Sequence, residues 1–388
     1  MTLPRIAHIA FNQVRKLPVL GAELRALRDE FEADLIVPSY DQHPEALREQ
    51  LPDVRIRYVH LFSREYSARQ TPMLKLLRFV EFTVKAMWQA WRSRAALLVG
   101  HDMPGMLPLL PWVLFAPRRV IFAAHELWTE AAEDNAPLRP VWRAVERYIV
   151  RRVERVVVPE ENRARIMHEE YGARVLPAVV RNIPEHAPTI VRGDALHRLL
   201  GVDGDARLLL YQGLIAESRC LLELIDAVAM LGPEVRLVLI GEGDGEYERR
   251  VDEKMKALGG RGHRIGWTAP DELARLTASA DVGVLLYRNN GRNNYYAAPN
   301  KLYEYLFAGL PVLASAFPGL TSVVEQGGYG VCADPQSPEA IAHAISAALN
   351  IPAGETIAMR AREQFRWDGE AEVLRCVYRE ALAGRQRG

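Results

Sequence analysis

The segment 293–316 reads NNYYAAPNKLYEYLFAGLPVLASA and gathers residues whose types and spacing suit one chemistry. Pro299 and Asn300 stand where a helix should begin, and an apolar-patterned turn follows over 301–308. Gly309 ends that turn, and Pro311 bars its continuation. The first backbone N–H groups of such a helix lack intrahelical acceptors, and with the helix dipole they make a seat for phosphate. One turn in, Glu304 has the reach to hydrogen-bond a pair of sugar hydroxyls. Phosphate on the N–H groups and a diol on the acid describe a nucleotide-sugar site; an ordinary capped helix is the other reading.

Four further clusters fall where strands are predicted to end. In GEGDGE, Gly241, Gly243 and Gly245 hint at a dinucleotide turn, but Glu246 occupies the place of the third glycine. A tight turn and a backbone approach to a nucleotide both remain open there. In YQGLIAESRC, Gly213 closes a strand and Arg219 stands at a helix start, where its cation could hold a diphosphate or lie on the helix surface. In AAHELWTE, His125 and Glu126 follow a buried strand. Thr129 stands where zinc chemistry of the HExxH type needs its second histidine, so that chemistry is excluded. His125 is then a candidate facing a cleft, or a satisfied core histidine. In VGHDM, Asp102 could orient His101, touch substrate or form a turn.

Short apolar runs alternate with helical patterns almost throughout. Strands are predicted at 5–11, 34–37, 97–100, 119–124 and 155–158, then at 207–212, 235–240, near Ile265, at 282–287 and at 312–314. Helices are predicted at 19–30, 73–94 and 141–153, then at 221–231, 247–258, 270–280 and 338–349. Continuous apolar strands between helices mean parallel sheets covered on both faces, and two such sets mean two doubly wound domains. Prolines and charges place the hinge at 182–204. Ligands of open parallel sheets collect at the carboxyl ends of the strands, which for two domains means the cleft between them.

A chain of 388 residues with equal numbers of basic and acidic groups has room for two cores and is not built for wholesale nucleic-acid binding. The part up to Glu185 is slightly basic and the remainder slightly acidic. Cys220, Cys332 and Cys376 make no metal spacing and read as buried small hydrophobes in a reducing compartment. The N-terminus reads as a first strand with no leader before it, and the longest apolar stretch, 106–116, is broken by Pro108 and Pro111, so no transmembrane span is expected and the location is read as cytoplasmic. Asp203 and Asp205 form a DxD that reads as a solvent turn rather than a metal chelate. The basic amphipathic pattern 74–94, with Trp88 and Trp91, either packs on its own domain or touches the inner face of a membrane peripherally.

The order of AAHELWTE, VVVPEENRARIM, VVRNIP, YQGLIAESRCLLELIDA, LVLIGEGDGEY, IGWTAPDELARLTASADVGVLLY and APNKLYEYLFAGLPVLAS resembles the family 4 glycosyltransferases, retaining enzymes of the GT-B fold. The closing FRWDGEAEVLRCVYREAL resembles that family's last helix, which crosses back onto the first domain. The resemblance implies an α/β architecture of two Rossmann-like domains. These are an acceptor domain over 1–185 and a nucleotide-sugar domain over 186–365, with the returning helix over 366–388.

It also implies roles. Glu304 matches the second glutamate of the family's E-x7-E pattern and would bind the ribose; the backbone at Asn300, Lys301 and Leu302 would receive the diphosphate. Arg219 matches the basic residue that clamps it, Gly213, Gly241 and Gly243 line the donor, and Gly266 and Trp267 fall where backbone meets the base. His125 would approach the transferred sugar. Arg15 and Lys16, in the loop after the first strand, would close near phosphate or acceptor, alongside His101, Asp102 and Glu126. Two departures stand out: Tyr296 replaces the first glutamate, which normally touches the donor sugar, and Leu214 replaces a common arginine.

The reaction implied is metal-independent and retaining. A sugar moves from a nucleoside diphosphate sugar, UDP by family habit, to a hydroxyl of a glycan, lipid-linked saccharide or natural product. Arg219, Lys301 and the helix tip would stabilise the leaving diphosphate, with no further cofactor and no protein nucleophile. A nucleotide-sugar epimerase of the same fold and a catalytically silent binding protein are the alternatives.

Overall fold

The computed structural model describes residues 3–11, 18–39, 44–62, 72–116, 119–130, 139–186, 192–243 and 245–386. It divides into two compact units, Met1–Asn182 with Trp367–Gly388, and Ile183–Arg366.

The first unit is built on a seven-stranded parallel sheet. Its strands are β1 (Arg5–Ile9), β2 (Glu32–Pro38), β3 (Val54–Val59), β4 (Leu97–His101), β5 (Val120–Ala123), β6 (Arg155–Val158) and β7 (Ala178–Val179). The order β3-β2-β1-β4-β5-β6-β7 reverses direction between β1 and β4. Strands such as LLVGH and VIFA are buried along their whole length, as a sheet covered on both faces requires. The helix Trp367–Gln386 belongs to this unit. Its Glu370 accepts from the Arg181 backbone N–H at 2.7 Å, Arg375 donates to the Ala26 carbonyl, and Arg379 pairs with Glu30.

The second unit repeats the scheme with six parallel strands: β8 (Arg207–Gln212), β9 (Val235–Ile240), β10 (Gly262–Ile265), β11 (Val282–Leu285), β12 (Val312–Ser315) and β13 (Gly330–Ala333). The order β10-β9-β8-β11-β12-β13 puts its reversal between β8 and β11. Its core sets Leu209, Leu237, Val282 and Leu313 of the sheet against Leu224, Ile225 and Val228 of the helix Leu221–Ala229.

Three strands escaped the sequence reading. β3 reads VRIRYV, and its arginines serve the sheet: Arg57 donates to the buried Asp34 of β2 at 2.8 Å. β7 and β13 are too short for a pattern to stand out. The predicted hinge 182–204 contains the helix Ala195–Leu200, tied into the second unit by the Leu196 N–H to Ser279 Oγ bond. Of the three cysteines only Cys220 is buried; Cys332 is part-exposed and Cys376 lies exposed on the last helix.

Candidate active site

The second unit assembles a cationic, acid-tipped site around the ends of β8 and β11. The helix Asn300–Phe307 starts after Pro299, and the Leu302 N–H turns back to the Pro299 carbonyl at 3.2 Å. The backbone phosphate seat expected at three residues is therefore reduced to the N–H groups of Asn300 and Lys301. The Lys301 ammonium lies over Gly213, whose φ of +125° is closed to most side chains, and faces the Tyr211 ring at 5.4 Å. Burial and the neighbouring Arg219 push the Lys301 pKa down to about 8, with Glu304 opposing.

Arg219 ends the 3₁₀ turn Glu217–Arg219, and Cys220 then takes a left-handed conformation that launches the next helix. The residues after β11 brace that turn. The Arg288 N–H donates to the Ser218 carbonyl at 2.9 Å, and the Arg288 side chain pairs with Glu223. The Arg219 guanidinium stacks on Tyr287, 4.2 Å from the ring centre, yet its buried Nε and Nη1 have no acceptor among the described residues. A half-buried cation with unspent buried donors beside a second cation is a site for an anion carrying several oxygens.

Glu304 is held from behind. Gln212 Nε2 donates to Glu304 Oε2 at 2.6 Å, and Thr277 Oγ1 fixes Gln212 through its Oε1 at 2.8 Å. Burial raises the Glu304 pKa while Lys301 and the Gln212 bond counter it. Oε1 has no partner among the described residues. Gln212 and Thr277 were missed in the sequence because neither residue type advertises chemistry; their signal is a glutamine at a strand end beside the glycine of YQG.

Other expected donor residues have structural duties. A Cβ on Gly241 would meet the Gly213 carbonyl, and one on Gly243 the Ile215 carbonyl, so both glycines let the loops after β8 and β9 touch backbone to backbone. Trp267 is exposed and its backbone N–H lies 3.4 Å from Glu242 Oε1, and Gly266 is exposed beside the same carboxylate. Tyr296 caps the short helix Arg292–Tyr295 with its ring edge-on to Tyr295. Leu214 is exposed, and its carbonyl accepts the Tyr211 hydroxyl.

In the first unit, His8 of β1, His101 at the end of β4 and His125 after β5 form a line. His8 Nδ1 is 2.9 Å from His101 Nε2, and His101 Nδ1 is 2.9 Å from His125 Nε2. Both ring nitrogens of His101 are thus engaged, which removes the acceptor contact expected of it. Asp102, at a φ of +53°, accepts the Glu126 N–H at 3.1 Å, and Arg163 donates to the His125 carbonyl at 2.6 Å. Asp102 therefore positions the 125–126 backbone rather than facing substrate, and burial pushes its pKa up to about 6. The Glu126 side chain is exposed. Arg15 and Lys16 lie outside the described residues.

Donor atoms of Glu23, His101 and His125 lie within 4.8 Å of one another, the one group among the described residues close enough to share a cation. The facing nitrogens of His101 and His125, however, stand at hydrogen-bond distance.

Comparison with known proteins follows the two units. Residues 15–183 match the family described as glycosyl transferase 4-like domain, and residues 206–350 that described as glycosyl transferases group 1. A D-inositol 3-phosphate glycosyltransferase of Xylanimonas cellulosilytica is 28% identical over 76% of this chain and 75% of its own. The chain spans about half the length of some curated relatives that it matches, 48% and 53% in two of them. Sucrose-phosphate synthase of Thermosynechococcus elongatus shares the fold with a TM-score of 0.80 at 18% identity, over 98% of this chain and 100% of that one. HepE of Anabaena, solved with UDP-glucose, has a TM-score of 0.71 at 17% identity, over 95% of this chain and 98% of that one.

Proposed function

The chain belongs to the group 1, family 4 glycosyltransferases, with the GT-B fold, and we propose that it moves a hexosyl group from a UDP-sugar to an acceptor hydroxyl with retention at the anomeric carbon. The observation that carries the reading is the half-buried Arg219, whose buried Nε and Nη1 are unspent beside Lys301. Breaking the glycosidic bond to the donor leaves both bonding electrons on the diphosphate. The groups able to stabilise that charge are the two cations and the N–H groups of Asn300 and Lys301. Glu304 holds the ribose through its unpartnered Oε1, and His125 meets the transferred sugar.

In this mechanism the leaving phosphate oxygen takes the acceptor proton on the face where the new bond forms, so neither a protein nucleophile nor a metal is required. Uridine is supported by HepE, which was solved with UDP-glucose, and by family habit rather than by a base contact in this chain. Tyr296, in place of a sugar-binding glutamate, leaves donor choice to other groups.

The acceptor side is supported by an uncovered surface. The helix Pro72–Ser93 exposes Leu77, Val80, Val84, Trp88 and Trp91 at three- and four-residue spacing, and carries Lys75, Lys85 and Arg92. Trp88, Trp91, Trp112, Phe115 and Arg119 line a groove of 460 Å³ beside it. An apolar stripe edged with cations suits the interface of an anionic membrane, and hence an acceptor presented there. No helix among the described residues is long and apolar enough to cross a membrane.

The test is turnover of UDP-sugars by the full chain, with released UDP and the anomeric configuration of the product followed by proton NMR. The expected result is UDP release, slow hydrolysis when acceptor is withheld, and an anomer matching the donor. An inverted anomer would remove the retaining mechanism, and absence of both binding and turnover with every nucleoside diphosphate sugar would remove the transferase reading.

A further inference from the structure

The line of three histidines has a direction. For the His101–His125 pair the ring planes lie 5° apart and the centroids 5.2 Å apart with 2.9 Å between the facing nitrogens. Adding the distance from each nitrogen to its own ring centre accounts for that whole separation, so the rings meet edge to edge in one plane. His8 and His101 meet in the same way, at 5.2 Å and 21°. Such contacts are in-plane N–H···N hydrogen bonds, and each requires one ring to donate and the other to accept.

Burial pushes the His8 pKa down to about 3 and that of His101 well down, so each ring holds a single proton at neutral pH. Two polarities are then possible. If protons sit on every Nε2, the N–H of His8 Nε2 is left buried with no acceptor, since that atom has no partner. If they sit on every Nδ1, only a lone pair is left unmatched there, the less severe defect. Glu23 Oε2, buried and otherwise unpartnered, lies 3.9 Å from His101 Nδ1 and in one group with His125, so it does not choose between the two polarities.

We propose that His8 and His101 are positioning residues that hold His125 in the tautomer protonated on Nδ1, so that this N–H is the one offered to the transferred sugar. Its last clause rests on the reading of His125 as a sugar contact. His101 Nδ1–H donates to His125 Nε2, which leaves His125 able to donate from Nδ1 and unable to donate from Nε2. A hydroxyl oxygen of the sugar would therefore meet a fixed donor rather than an equilibrating one.

The test is long-range proton–nitrogen NMR on the full chain labelled with ¹⁵N-histidine. Expected are a protonated Nδ1 and a bare Nε2 at His8, His101 and His125. His8→Phe, which removes the first donor, should give a mixed tautomer at His125. It should also lower kcat in proportion to the share of His125 that takes the other tautomer, with little change in KM for donor. A wild-type His125 protonated on Nε2, or a His125 tautomer unmoved by His8→Phe, overturns the proposal. If His8→Phe does not fold, the wild-type spectrum alone decides. His125→Ala separates the two readings: unchanged turnover would remove the sugar contact while the wild-type spectrum still reports the relay.

Discussion

The Lys301 ammonium occupies the space that a side chain at Gly213 would fill: a Cβ there would lie 1.9 Å from Nζ. The end of β8 and the tip of the Asn300–Phe307 helix are therefore fitted to each other through the absence of one carbon. Gly213→Ala is expected to displace Lys301 and strain a backbone with a φ of +125°, costing roughly 1–3 kcal/mol. The outcome to measure is a lower melting temperature together with at least about tenfold weaker UDP affinity by calorimetry.

Lys301 should make donor binding depend on pH. With its pKa lowered to about 8 in the free protein, the side chain loses its charge above that pH, and a bound diphosphate restores it by raising the pKa. Binding of UDP at pH 9 should then take up protons and weaken with pH, approaching about tenfold per unit. Calorimetry in buffers of differing ionisation enthalpy reads the uptake directly. Lys301→Arg, which does not titrate in this range, should abolish it.

Glu146 sets a second pH dependence, in stability. It is buried against Thr129, and burial pushes its pKa up to about 7. A carboxyl whose folded pKa is raised favours folding below the unfolded pKa, and that contribution is lost as pH rises through the folded one. Above pH 7 the ionised group disfavours the first unit, by roughly 3 kcal/mol at most. Glu146→Gln keeps an acceptor for Thr129 and should raise the melting temperature more at pH 8 than at pH 5.

The exposed tryptophans allow a clean test of membrane contact. Trp88 and Trp91 are 53% and 69% exposed, so replacing both with serine should leave the fold intact. Co-sedimentation with vesicles containing anionic lipid should fall by about tenfold or more, from the lost apolar burial. Binding that is unaffected, or absent in the parent protein, would remove the membrane-facing role.

The alternation of apolar runs with helices was enough to expose two parallel sheets, and strands such as Arg207–Gln212 and Val235–Ile240 fall where the sequence put them. β3 was hidden because Arg55 and Arg57 break its apolar run, a cost repaid only across the sheet at Asp34. At the candidate site, charged residues were legible and their supports were not. Glu304 and Arg219 announce themselves by type, whereas Gln212, Thr277 and Arg288 act through partners 92, 65 and 71 residues away along the chain. His8 was unreadable for the same reason, since it lies inside a strand and meets its partner 93 residues later. Gly241 and Gly243 were legible as necessary glycines, but the close neighbour of each is another loop's carbonyl.

The anion site can be weighed most directly by titrating the full chain with UDP and with uridine, before and after Arg219→Ala. UDP should bind the parent much more tightly than uridine. The variant should lose at least about tenfold for UDP, the strength of a charged hydrogen bond, while its affinity for uridine stays the same. Equal UDP affinity in parent and variant would contradict the assignment of Arg219 to the diphosphate.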